Sequence, residues 1–144
     1  MKEFVNIDGE VKAGDGPVIS LDNRAFHYGD GLFESLRIVD GRPCFVDAHW
    51  ARLSTGAEVL RIDIPAMLDR ASFERWIVEL AMRCGFSSAR CRFTLYRGGG
   101  GHYRPESNEG RFTMEMRALP EPSYTLNENG LMVDIWPEMR KPIN

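Results

Sequence analysis

The residue types that could do chemistry lie mostly between Ser20 and Arg104. His49-Trp50-Ala51-Arg52-Leu53 puts a histidine and an arginine three residues apart, on one face of a helix if the segment is helical. An arginine fork offers parallel donors and a permanent charge, which suits phosphate oxygens. It equally suits a surface salt bridge, here with Asp47 or Glu58. Upstream, Tyr28-Gly29-Asp30-Gly31-Leu32-Phe33 sets one aspartate between two glycines, with an aromatic residue on either side. The glycines allow a left-handed turn or a close backbone approach. Tyrosine gives a pocket an apolar wall and one directed hydroxyl. Arg37 could hold a carboxylate with both arms of its fork, or join a cross-strand ion pair.

Arg92 and Arg97 are two further cations on an alternating stretch, five residues apart and therefore on opposite faces unless a bulge intervenes. Gly98-Gly99-Gly100-Gly101-His102-Tyr103-Arg104 follows. It is either a loop over a site, with His102 and Arg104 as its polar groups, or a flexible hairpin tip. A phosphate-cradling P-loop is excluded, because the Lys-Ser/Thr pair and the strand-to-helix context are missing.

The elements that must position these groups follow from periodicity. Phe4–Ile7 and Glu10–Lys12 flank Asp8-Gly9 as an opening hairpin, and Val18–Leu21 reads as extended chain. Glu34–Val39 alternates like a half-buried strand, Asp40-Gly41 turns it, and Arg42–Val46 returns. Asp47 can cap a helix carrying Trp50, Leu53, Ala57 and Leu60 to about residue 60. Ser72 is placed to cap a second, with Phe73, Trp76, Ile77, Leu80 and Ala81 on one face, stopped at Gly85. Ala89–Arg97, Gly110–Leu119 and Leu131–Trp136 are predicted as later strands. Strands and helices are segregated, which predicts an α+β domain, an antiparallel sheet packed by two helices.

The chain has 144 residues, 43% of them hydrophobic and 27% charged, enough for one globular domain. A net charge of −3 argues against nucleic acid as a partner, even though Arg90, Arg92, Tyr96 and Arg97 make a basic, aromatic strand. No apolar run is long enough for a membrane span. Cys44, Cys84 and Cys91 are odd in number and set among apolar residues, as expected of reduced thiols in a cytoplasmic protein without a metal site.

The order Tyr-Gly-Asp-Gly-x-Phe-Glu-x-x-Arg over residues 28–37, a hairpin, then His49-x-x-Arg52-Leu53, resembles the opening of the fold-type IV (class IV) pyridoxal-phosphate enzymes. These include branched-chain and D-amino-acid aminotransferases and aminodeoxychorismate lyase. The resemblance implies the smaller N-terminal domain of such an enzyme over residues 1–136, a linker beginning at 137–144, and a C-terminal domain not included here. It also implies a homodimer, pyridoxal 5'-phosphate as cofactor, and an amino acid or 2-oxo acid as substrate. Arg52 matches the arginine that contacts the cofactor phosphate. Tyr28 and Phe33 match substrate-pocket aromatics, with Arg37, Arg92, Arg97 and His102 as further substrate-binding candidates. The only lysines are Lys2, Lys12 and Lys141, none in a setting suited to a Schiff base. The lysine that forms it lies beyond the linker in the family, so no catalytic residue is assigned and the isolated chain is expected to be inactive and not to hold the cofactor. His102 and Arg104 match neither the aminotransferase nor the lyase version of the glycine loop, leaving the reaction type open. A non-catalytic α+β ligand-binding or interaction module remains the alternative of a different class.

Overall fold

The computed structural model describes residues 4–16, 19–120, 126–135 and 137. Strict alternation builds its sheet. In β5 (Ala89–Arg97), Cys91, Phe93 and Leu95 are fully buried, whereas Arg90 is exposed and Arg92 and Thr94 are half-buried. β6 (Gly110–Ala118) repeats this with Phe112 and Met114 inward, and β3 (Gly31–Val39) with Leu36 and Ile38. With β1 (Phe4–Ile7), β2 (Glu10–Ala13) and β4 (Arg42–Pro43) the strands form one antiparallel sheet in the order β2-β1-β6-β5-β3-β4.

Two 15-residue helices cover one face of that sheet: α2 (Val46–Leu60) lies over β3, and α3 (Arg70–Cys84) lies against β1, β4 and β6. Between helices and sheet runs a column of rings. Trp50 meets Phe73 at 5.6 Å, Phe73 meets Phe93 at 4.9 Å, and Phe93 and Trp76 each lie 5.3 Å from Phe112. Such pairs add about 0.5–1.5 kcal/mol each beyond the area they bury. The expected inward face of the second helix, Phe73, Trp76, Ile77, Leu80 and Ala81, is buried throughout. The α+β architecture is therefore the one predicted.

Several boundaries differ. Asp69, not Ser72, caps α3: its carboxylate accepts from the Ser72 amide at 2.7 Å, while the Ser72 hydroxyl accepts from the Asp69 amide at 2.8 Å. The Ser72 amide, by bonding to the charged form, holds the Asp69 carboxyl below its usual range. Phe45, in a left-handed conformation at φ 55°, precedes α2, so Asp47 sits within the first turn and not at the cap. β3 starts at Gly31, three residues before the expected strand, and β4 is only two residues long. Leu131–Ile135 form no strand, their apolar side chains are exposed, and Trp136 lies outside the described residues. Periodicity marks an apolar run as strand-capable, but only a free sheet edge within reach makes it one. Leu21 and the described part of the Val18–Leu21 stretch are likewise not a strand; the chain bends there toward a short helix that periodicity did not announce.

Candidate active site

That short helix is α1 (Arg24–Tyr28), capped by the Asn23 side chain accepting from the Ala25 amide at 2.8 Å. Gly29 ends it at φ 64° by donating to the Ala25 carbonyl. Gly31 is required for a different reason. A Cβ there would lie 2.7 Å from the Leu95 carbonyl oxygen and 3.0 Å from the Tyr96 Cβ, both on the neighbouring strand. The two glycines thus fix Asp30 between a helix end and a close strand crossing.

Asp30 holds two buried arginines. Arg24 Nε donates to it at 2.9 Å and Arg97 Nε at 3.1 Å, and neither arginine is more than 7% exposed. Arg24 Nη1 reaches on to the carbonyls of Gly101 and His102, at 2.7 and 2.9 Å, pinning the glycine-rich loop against α1. The remaining Arg97 nitrogens donate to the carbonyls of Leu60 and Arg61 at 2.6 and 2.7 Å and to Asn108 Oδ1 at 2.5 Å. All three Arg97 nitrogens are occupied inside the chain. The structure therefore moves Arg97 out of the substrate-binding set and into the support of the loop.

The pinned loop lies beside Tyr28. The Tyr28 and Tyr103 rings are 6.5 Å apart, and the Arg24 guanidinium stands 4.9 Å from the Tyr28 ring centre. Tyr28 is about half exposed, so it is held from behind and open in front. Phe33 lies on the helix-free face of β3, with the Arg92 guanidinium 3.7 Å from its ring centre. Arg92 and Arg97 do fall on opposite faces of β5. His102 is exposed and, among the described residues, enters the hydrogen bonding through its backbone carbonyl, and Arg37 is half-buried with another arginine, Arg90, opposite it.

Arg52 belongs to a second cluster at the same end of β3. Glu34, 6% exposed, takes up both arms of the arginine: Nε donates to Oε1 at 2.9 Å and Nη2 to Oε2 at 2.5 Å. The partner is neither Asp47 nor Glu58, but a carboxylate on the facing strand. Hydrogen bonding to Glu34, then its charge, raises the Arg52 pKa further above its ordinary value. His49 Nδ1 lies 2.6 Å from the same Oε2, so that nitrogen carries the proton and donates. Its 3.0 Å approach to Arg52 Nη2 is then two donors sharing one acceptor. One turn beyond Arg52, Gly56 lets α2 settle on β3: a Cβ there would lie 2.6 Å from a Leu32 methyl. The Arg52 side chain is 62% exposed, and among the described residues its Nη1 has no partner.

Sequence reasoning missed Arg24, Asp30 and Glu34. Glu34 left a trace: it sits in phase with Leu32, Leu36 and Ile38, where the alternation calls for an apolar residue, and a carboxylate in that phase must find cations. Arg24 gave no comparable signal, because the carbonyls it binds lie 76–78 residues away along the chain. Lys12 is exposed and bound to Glu10 at 3.0 Å; Lys2 and Lys141 lie outside the described residues. Among the described residues no His/Cys/Asp/Glu group could hold a metal ion, and no helix is long and apolar enough to cross a membrane.

The sequence pattern of the amino-transferase class IV family matches residues 31–142, from the first residue of β3 onward. The chain belongs to the class IV aminotransferases. It is 33% identical over 82 residues to the bifunctional aminodeoxychorismate lyase / D-amino acid transaminase of Mycobacterium tuberculosis, covering 54% of this chain and 28% of that protein. It is 29% identical over its whole length to a Methanocaldococcus jannaschii protein named for branched-chain-amino-acid aminotransferase activity, covering 48% of it. The branched-chain aminotransferase of the archaeon Thermoproteus uzoniensis, solved with norvaline, superposes with a TM-score of 0.74 over 84% of this chain and 42% of that one. At 16% identity, that likeness is one of fold. This class IV chain thus spans less than half the length of each of these relatives.

Proposed function

We propose that this chain forms one wall of the cofactor cleft of a pyridoxal-phosphate-dependent aminotransferase acting between an amino acid and a 2-oxo acid. The observation that carries the reading is Arg52. A fixed arginine with one unpartnered donor nitrogen, at a largely exposed position, fits a phosphate group. Glu34 holds Nε and Nη2, which orients the fork and leaves Nη1 unengaged among the described residues. Bound pyridoxal phosphate supplies the electron sink through which amino groups are exchanged. This chain's part is to grip the phosphate with Arg52 and to offer Tyr28, Phe33 and Arg92 to the substrate. Arg37 and His102 remain candidates for the same face and loop. The amine that anchors the cofactor, the second domain that carries it, and a homodimeric assembly complete the proposal. A cytoplasmic setting fits three thiols that form no disulfide among the described residues.

A lyase releasing pyruvate from aminodeoxychorismate is the second reading. It is favoured by the double name of the Mycobacterium tuberculosis relative.

Borohydride reduction in the presence of pyridoxal phosphate, followed by peptide mass mapping, tests the proposal. Residues 1–144 alone should yield no reduced adduct, whereas the whole protein should carry one on a lysine outside this stretch. A stoichiometric adduct on Lys2, Lys12 or Lys141 overturns the one-wall reading. Measured on the whole protein, transamination against pyruvate release separates the two reactions.

A further inference from the structure

The helix-free face of the sheet carries a row of like charges. Arg90 on β5 stands opposite Arg117 on β6, and on its other side opposite Arg37 on β3. The Arg37 carbonyl accepts from the Cys44 amide on the β4 side, so Arg37 and Arg90 form a non-hydrogen-bonded pair, the closer of the two kinds, with Cα atoms about 4.5 Å apart. Arg90 and Arg117 then form the wider kind, at about 5.5 Å. Three guanidinium-bearing positions therefore sit side by side within roughly 10 Å.

Like charges directly opposite each other weaken an antiparallel pair. The chain as a whole is acidic, with 21 Asp and Glu against 18 Lys and Arg, so the row is not a by-product of a basic composition. The next row shows the ordinary arrangement: Arg92 has Glu115 opposite it and lies over the Phe33 ring. Arg90 and Arg117 are both exposed, and neither has an acidic partner among the described residues.

We infer that the Arg90–Arg117 pair is a binding site for a small polyanion with two or more phosphate or carboxylate groups. Anionic groups set against two adjacent guanidiniums turn their repulsion into charge-assisted bonds, and a ligand with two such groups pairs one with each arginine. A monoanion supplies only one such group and is held more weakly. The site does not depend on the cofactor reading, because it uses none of the residues that face the phosphate.

Thermal unfolding of the whole protein without pyridoxal phosphate tests this, with pyrophosphate, citrate or acetate added at matched ionic strength. Pyrophosphate or citrate should raise the midpoint by roughly 3 °C or more, and acetate should not. Whichever of the two acts more strongly identifies phosphate or carboxylate as the preferred group. Arg90→Gln should shift the midpoint upward without ligand, by relieving repulsion, and should abolish the response to both polyanions. Arg117→Gln should do the same. An equal response to acetate, or an undiminished response in both variants, overturns the site and leaves only general ionic screening.

Discussion

Replacing Asp30 with alanine should lower stability by about 3–5 kcal/mol, the largest effect expected of any single substitution in the candidate site. The carboxylate is the shared partner of Arg24 and Arg97, and both guanidiniums are almost fully enclosed. Without it two positive groups face each other in a place water barely reaches, and neither can turn outward without breaking its carbonyl bonds. Urea unfolding should show the loss, with a thermal midpoint lower by roughly 10 °C or more. Asp30→Asn keeps an acceptor oxygen but not the charge and should fall between. A loss below about 1 kcal/mol for Asp30→Ala would mean that the carbonyl contacts alone hold the arginines.

In the whole protein, Arg52→Ala should weaken pyridoxal phosphate binding by at least about tenfold, or about 1.4 kcal/mol. The unfolding midpoint should also fall, but by less than for Asp30→Ala, because the nearly buried Glu34 loses two donors while His49 still donates to it and the Arg52 side chain is largely exposed. Arg52→Lys should not restore affinity, since an ammonium cannot grip Glu34 through two nitrogens and also present a third to phosphate. Glu34→Gln tests the orienting role separately. It leaves the arginine charge in place but removes the charged acceptor that fixes the fork, so affinity should fall while the net positive charge of the site rises. Equilibrium titration by absorbance or fluorescence measures each affinity. An Arg52→Ala protein that binds as tightly as the parent would place the phosphate elsewhere.

Much of this fold was legible because its elements announce themselves locally. The inward face of α3 and the alternation of β5 are repeated choices of residue type, and each is readable within a dozen positions. The spacing of Arg52 from His49 placed both on one face of a helix, where both meet Glu34, while the roles proposed for Arg52, Tyr28 and Phe33 came from the family resemblance. What stayed hidden depends on contacts between distant segments. Arg97 sits in a strand as any surface arginine might, and only its meeting with Leu60, Arg61 and Asp30 makes it an internal brace. Leu131–Ile135 failed in the opposite sense: a persuasive local pattern with no sheet edge joined to it.

The two-residue length of β4 has its own consequence. Only Ile38 and Val39 of β3 pair with it, so among the described residues the outer border of β3 from Leu32 to Leu36 has no neighbouring strand. Backbone groups on this strand alternate in direction: Asp30 bonds inward to Arg97, and Arg37 bonds outward to Cys44. By that parity the amides of Phe33 and Ser35 point outward, and those of Leu32, Glu34 and Leu36 point toward β5. Deuterium should therefore replace hydrogen rapidly at Phe33 and Ser35 and slowly at their immediate neighbours, a comb of fast and slow positions along one strand.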